Sequence, residues 1–194
     1  MNDAPENVLV IKLGALGDFV QAMGPFAAIR KHHPSARITL LTTPLYALLA
    51  NASGYFDDVW AFKRPRWWQF GSWIGLKRRF DEGHFSRVYD LQTSDRTGLY
   101  FRLFRSPKPE WSGIVRGCSH PHDNPARDSM HTVERQREQL AMAGIDNVPP
   151  PDLGWVETDI SMFETGNPFV LLVPGGSAER LAKRWSVAGY AALA

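Results

Sequence analysis

Along the first 145 residues, short aliphatic runs alternate with stretches whose apolar residues recur every three or four positions. Val8-Leu9-Val10-Ile11, with Leu13 beyond Lys12, reads as a strand buried on both faces. From Phe19 to His33 the apolar positions Val20, Met23, Phe26, Ala27 and Ile29 fall at helical spacing, and Pro34 ends the segment. The same alternation predicts strands over 37–43, 58–62 and 87–92, with a weaker fifth over 110–115. Helices are predicted over 44–51, 66–80 (interrupted by Gly71 and Gly75), 95–105 and 131–144, the last stopped by Gly144, and residues 116–130 read as a loop. Strands and helices that alternate at this spacing imply an α/β fold with a Rossmann-like, doubly wound parallel sheet.

The pattern changes near residue 147. Three consecutive prolines, Pro149, Pro150 and Pro151, open a weakly patterned stretch that runs to Gly166. Residues 169–173 then read as a new buried strand, and a helical pattern begins near Ser186. The expected organisation is a domain over 1–150, a linker over 151–167 and, over 168–194, the truncated start of a second domain.

Two turns stand out. The first, KLGALGD (12–18), carries Gly14 and Gly17 between a strand and a helix. Its spacing is G-x-x-G-D, which departs from the dinucleotide fingerprint G-x-G-x-x-G. Helix-start amides favour an anion, so Asp18 is out of place as a phosphate neighbour. It reads either as the helix N-cap or as a base at the strand's C-terminal edge, where open α/β sheets place their chemistry. The second turn, PGGSAERLAKRW (174–185), offers Gly175, Gly176, Ser177 and Lys183 as a diphosphate cradle, or is an ordinary surface turn. Between them, Gln92 and Asp95 follow the fourth predicted strand and are expected to face the same crevice as Asp18, unless Asp95 caps the next helix.

Residues 60–80 combine Trp60, Trp67, Trp68 and Trp73 with Lys63, Arg64, Arg66, Lys77, Arg78 and Arg79, and hold no acid. Indole beside cation suits an anionic acceptor or a headgroup layer; the plainer reading is a core-facing aromatic stripe with solvated charges. Cys118, His120, His122, Asp123 and His131 match no common zinc spacing, so no metal is expected.

Bulk properties narrow the class. The net charge of +2 gives no reason to expect nucleic acid. The single cysteine fits a reducing compartment, the acidic MNDAPEN start is unlike a signal peptide, and no apolar run approaches the ~20 residues of a membrane span. A soluble cytoplasmic protein is expected.

Four stretches, VLVIKLGALGD, YDLQTSDRTGL, HTVERQ and FVLLVPGGS…KRW, lie in order across the chain and together resemble glycosyltransferase family 9, the ADP-heptose:lipopolysaccharide heptosyltransferases. The resemblance implies a GT-B fold of two facing Rossmann-like domains, with the acceptor on the N-terminal one and the nucleotide sugar mostly on the other. It implies inverting transfer, without metal or other cofactor, from a donor such as ADP-heptose to a lipopolysaccharide core or related glycan. Asp18 would be the base. Gly175, Gly176, Ser177 and Lys183 would hold donor phosphate, and Lys12, Gly14, Gly17, Gln92, Arg64 and Arg66 would lie on the acceptor side. The acceptor would be lipid-linked and anionic, met at the cytoplasmic face of the inner membrane. Residues 1–194 alone would be inactive. A non-catalytic nucleotide-sugar or glycan binding protein of the same fold is the alternative.

Overall fold

The computed structural model describes residues 6–163, 166, 168–173 and 184–193. The chain divides into two units, Met1–Val156 and Glu157–Ala194.

The first unit is built on one parallel sheet. Its strands are β1 (Asn7–Ile11), β2 (Arg37–Thr42), β3 (Asp58–Ala61), β4 (Arg87–Asp90), β5 (Glu110–Gly113) and β6 (His120–Pro121), in the spatial order β3-β2-β1-β4-β5-β6. That is the order 3-2-1-4-5-6 of the doubly wound dinucleotide-binding sheet, in which the topological switch point lies between β1 and β4. Ile11 pairs with Leu41 on one side and with Asp90 on the other.

Helices cover both faces, which explains why β1 has no polar alternation. Val8 and Val10 face one core with Phe19, Met23, Phe26, Ile29, Ile38, Leu40, Tyr89 and Leu140. Leu9 and Ile11 face the other with Leu76, Phe80, Val88, Tyr100, Phe104 and Trp111. The first face is covered by α1 (Leu16–Gln21), α2 (Met23–His32), α3 (Ala47–Ala52) and α6 (Thr132–Ala141), the second by α4 (Phe70–Gly83) and α5 (Asp95–Leu103).

The structure revises several expected elements. The helix expected over 19–33 is two helices meeting at Ala22. Pro25 has no N–H to give to the Gln21 carbonyl and crowds it, so the helix breaks and restarts with Pro25 in the first turn of α2. Residues 44–46 form a 3₁₀ turn ahead of α3. The α4 helix starts at Phe70 rather than 66, because Gln69 closes a turn on Arg66 in both directions (Gln69 N to Arg66 O, 3.0 Å; Arg66 N to Gln69 Oε1, 2.7 Å). The expected loop 116–130 contains β6 and a 3₁₀ turn at Arg127–Ser129. Trp155, expected within a linker, packs against the first core.

In the second unit, residues 169–173 are irregular and mostly exposed instead of forming the expected strand. Among the described residues of that unit no partner strand offers them a ladder. The helix α7 (Val187–Leu193) follows, and the Tyr190 hydroxyl donates to the Val173 carbonyl at 3.3 Å. No helix is long and apolar enough to cross a membrane among the described residues.

Candidate active site at the sheet switch point

β1 and β4 end side by side, and their C-terminal extensions are tied together. Lys12, 4% exposed, donates its ammonium to the Leu91 carbonyl at 3.0 Å. The Leu13 amide donates to Gln92 Oε1 at 2.8 Å. The Thr43 hydroxyl (3.4 Å) and the Arg64 guanidinium (2.7 Å) both donate to the Leu13 carbonyl. A pocket of about 70 Å³ opens here, lined by Lys12 and Asp18 from the β1 side and Leu91, Gln92 and Thr93 from the β4 side. Thr132, Arg135, Gln136 and Gln139 of α6 close it. It has room for one hydroxyl-bearing group rather than a whole ligand, since a water occupies about 30 Å³.

Asp18 is exposed at the mouth. It is not the N-cap of α1; that position is Ala15, which has no side-chain acceptor. Asp18 sits three residues in and accepts from the Ala15 amide at 3.2 Å, supplying the reciprocal half of a capping box. One carboxylate oxygen thus fixes the turn while the side chain stays open to solvent. Gly14 has φ +118°, and a Cβ there would lie 2.5 Å from Tyr46 Cε2, so this glycine is required by the Tyr46 ring. A Cβ at Gly17 would meet nothing within 4 Å, so the chain itself makes no such demand there.

Beneath the pocket floor lies Asp90, 1% exposed. Its Oδ1 accepts from the amides of Gln92 (3.1 Å) and Thr93 (3.0 Å), which holds Thr93 at φ +45°. Its Oδ2 has no hydrogen-bond partner. Burial pushes the Asp90 carboxyl up to about 6 against the pull of the nearby Thr97 hydroxyl, of those two amides and of Lys12. Burial likewise lowers Lys12 to about 8, although the Asp18 and Asp90 carboxylates favour its charge. The site therefore holds an acid and a base whose neutral forms are both within reach near physiological pH.

The structure brings Lys12, Gly14, Gly17, Asp18, Gln92 and Arg64 to this edge. It separates Arg66, which lies 5.2 Å over the Trp68 ring. Asp95 does not share the crevice: Ser94 caps α5, accepting from Thr97 N at 3.4 Å, and Asp95 lines a different depression with Gly98, Arg102 and Val115. Arg79 sits over Trp60 beside Asn7, Arg37 and Asp58, away from the pocket. The cysteine and histidines disperse. His120 faces Glu110 (3.5 Å), His122 faces Glu138 (3.8 Å), and His131 caps α6; no group of three potential metal ligands forms among the described residues. The second glycine turn, with Gly175, Gly176, Ser177 and Lys183, lies outside the described residues.

The α6 contribution was missed as a site. Thr132, Arg135, Gln136 and Gln139 fall at i, i+3, i+4 and i+7, one polar stripe on a helix whose Leu140 is fully buried. Gln139 donates to the Asp90 carbonyl at 2.9 Å. Gln136 is 3% exposed, and neither atom of its amide has a partner.

No family model matches the sequence, and no curated protein matches it. Solved structures do match. The glycosyl transferase family 9 structure from Veillonella parvula DSM 2008 aligns over 77% of this chain and 44% of its own, with TM-score 0.61 and 18% identity. The E. coli heptosyltransferase WaaC with ADP-2-deoxy-2-fluoro heptose aligns over 74% of this chain and 49% of its own (TM-score 0.53, 16% identity). The same enzyme with ADP gives 0.52 over 74% and 48%. The chain spans about half the length of these structures. Over some three-quarters of its residues, then, the chain has the fold found in glycosyltransferase family 9 structures, a parallel α/β sheet of doubly wound topology.

Proposed function

We propose that this protein is an inverting glycosyltransferase of the GT-B kind. It moves a heptose-like sugar from a nucleotide diphosphate donor, ADP-heptose in the first instance, to a lipopolysaccharide core or related glycan. The observation that carries the reading is the placement of Asp18: an exposed carboxylate at the mouth of the switch-point pocket, beside Lys12 and Gln92, on a sheet with the strand order β3-β2-β1-β4-β5-β6. Two solved structures of similar fold carry ADP and a fluorinated ADP-heptose, which is the reason for naming this donor class.

In this reading an acceptor hydroxyl donates its proton to Asp18 while its oxygen attacks the anomeric carbon. The bond from that carbon to the diphosphate oxygen breaks on the opposite face, and the nucleoside diphosphate leaves with the electron pair. One displacement inverts the configuration. Arg64, Lys12 and Gln92 orient the acceptor. Ser177, Lys183 and the amides of Gly175 and Gly176 meet the leaving diphosphate charge, so the reading assigns that role to no metal. The acceptor is anionic and lipid-linked, reached from the cytoplasmic face of the inner membrane.

The test is Asp18→Asn in a protein that carries both halves. The amide still accepts from Ala15, so the fold stays. Donor binding should persist while transfer falls roughly 10²–10⁴-fold. Near-normal turnover by the folded variant would leave Asp18 a turn residue and remove the reading.

A further inference from the structure

Helix α4 has two unlike faces. Trp73, Leu76 and Phe80 pack inward against the second core. On the other side Phe70 and Ile74 are each 69% exposed, and just ahead of the helix Trp67 is 77% and Trp68 50% exposed. Four large apolar side chains stand exposed within eight residues, Trp67 and Trp68 meeting edge to face with ring centroids 5.4 Å apart. A patch of this kind on a soluble domain marks an interaction surface.

The occupant follows from what surrounds the rings. Residues 63–80 hold six cations and no acid. Arg66 lies on the Trp68 face, and Arg78 continues the Phe70–Ile74 stripe one turn on, 75% exposed and only loosely paired with Glu82 at 3.6 Å. Exposed pairs of this kind are weak. An apolar protein groove would gain nothing from such a cationic fringe, whereas an anionic bilayer takes indole rings at the headgroup level and Lys or Arg beside them. We propose that Trp67, Trp68, Phe70 and Ile74, fringed by Lys63, Arg66 and Arg78, seat this protein on an anionic membrane surface.

The segment is fastened to the site. Arg64 donates to the Leu13 carbonyl, the Pro65 carbonyl accepts from Arg96 at 2.7 Å, and Trp73 Nε1 donates to the Arg66 carbonyl at 3.1 Å. Docking there sets the bilayer at the rim of the switch-point pocket. The purpose of the surface rests on the transferase reading with a lipid-linked acceptor; the binding itself needs neither donor nor acceptor.

The experiment is co-sedimentation of the 194-residue chain with phosphatidylcholine vesicles, with and without phosphatidylglycerol. The chain should pellet with the anionic vesicles, and less so as salt rises. Trp67→Ser/Phe70→Ser/Ile74→Ser should weaken binding more than about tenfold, since each exposed ring or branched chain contributes on burial. Lys63→Gln/Arg66→Gln/Arg78→Gln should weaken it about fivefold per charge at low salt. Unchanged binding by either variant, or equal binding to neutral vesicles, overturns the proposal. Should the apolar variant fail to fold, quenching of wild-type tryptophan emission by brominated lipid decides instead, and its absence overturns the proposal. Retention of a single-stranded oligonucleotide in place of vesicles would make the patch a nucleic-acid surface and also overturn it. Vesicle binding without transfer in the complete protein would keep the docking surface and retire the transferase reading.

Discussion

The two ends of the one sheet treat their polar groups in opposite ways. At the N-terminal end of the strands most charges and hydroxyls find partners, although Arg87 Nε is left without a hydrogen bond. His33 bridges Glu6 Oε2 and the Tyr89 hydroxyl, each at 2.8 Å, and Arg87 pairs with Glu110. Arg37 meets Asp58 at 2.7 Å, and Asp57 holds both Arg30 and the Ile38 amide. At the C-terminal end the groups are closer to the chain's interior yet fall short of partners. Asp90 Oδ2 and both amide atoms of Gln136 make no hydrogen bond, and burial lowers Lys12 to about 8. Buried polar groups left unmatched weaken a fold, and they persist where a ligand completes them. Under the proposed function, the C-terminal end, whose orphaned groups are the more deeply buried, is where a substrate would complete them.

The largest effect that tests this contrast is a pH dependence. Asp90 binds its proton more tightly when folded, at about 6 against an ordinary 3.8. Stability from this group is therefore fully present below the lower value and is lost as pH rises through the upper one. A shift of this size corresponds to about 3 kcal/mol at most. In Asp90→Asn the carboxamide oxygen still accepts from Gln92 and Thr93, but nothing titrates. Urea denaturation of both proteins across that interval should show the wild type losing stability relative to the variant as pH rises. Parallel curves would mean that the carboxyl is not held neutral, and the C-terminal edge would be no more strained than the other.

A smaller effect is expected at the matched end. Tyr89→Phe removes the hydroxyl from His33 Nε2 in a fully buried position and leaves a ring nitrogen without its partner. The loss should be about 1–2 kcal/mol in denaturant unfolding, with donor binding and transfer unchanged. Impaired transfer by a stable variant would show that the two ends are coupled and that their separation into scaffold and site is wrong.

What the sequence revealed follows from which forces act locally. The strands β1 to β4 were legible because strands buried on both faces must be continuous aliphatic runs, and Val8–Ile11 is one. Asp18 and Gln92 were legible because glycine turns and polar residues after such runs mark strand ends. β6 was not: two residues, His120 and Pro121, have no periodicity of their own and are strand only through their pairing with Ser112 and Gly113. The role of Ala15 as N-cap was hidden because Asp18, a better cap by type, serves from inside the helix. Asp90 fell inside the expected strand 87–92, and only the depth of its burial shows it to lie beneath the pocket rather than in its lining. The basic residues of 63–80 looked like one group; the structure separates them, Arg64 ahead of α4 reaching the Leu13 carbonyl and Arg79 within it lying over Trp60.

Gln136 offers the smallest expected effect and the sharpest sign. A glutamine on a helix face that also buries Leu140 would ordinarily be an error of patterning, because its amide loses water and gains nothing. If the C-terminal edge is unfinished only until a ligand hydroxyl enters, replacing this amide with an apolar chain of similar shape should stabilise the free protein. Gln136→Met should raise stability by about 1 kcal/mol, the reverse of Tyr89→Phe, since an unpaired donor and acceptor leave the interior. Acceptor binding should weaken in the same variant, by about fivefold to tenfold for the loss of one hydrogen bond. Thermal unfolding and acceptor titration measure the two together. Loss of stability with acceptor affinity intact would place Gln136 in the scaffold, satisfied by water, and would erase the difference in kind between the two ends of the sheet.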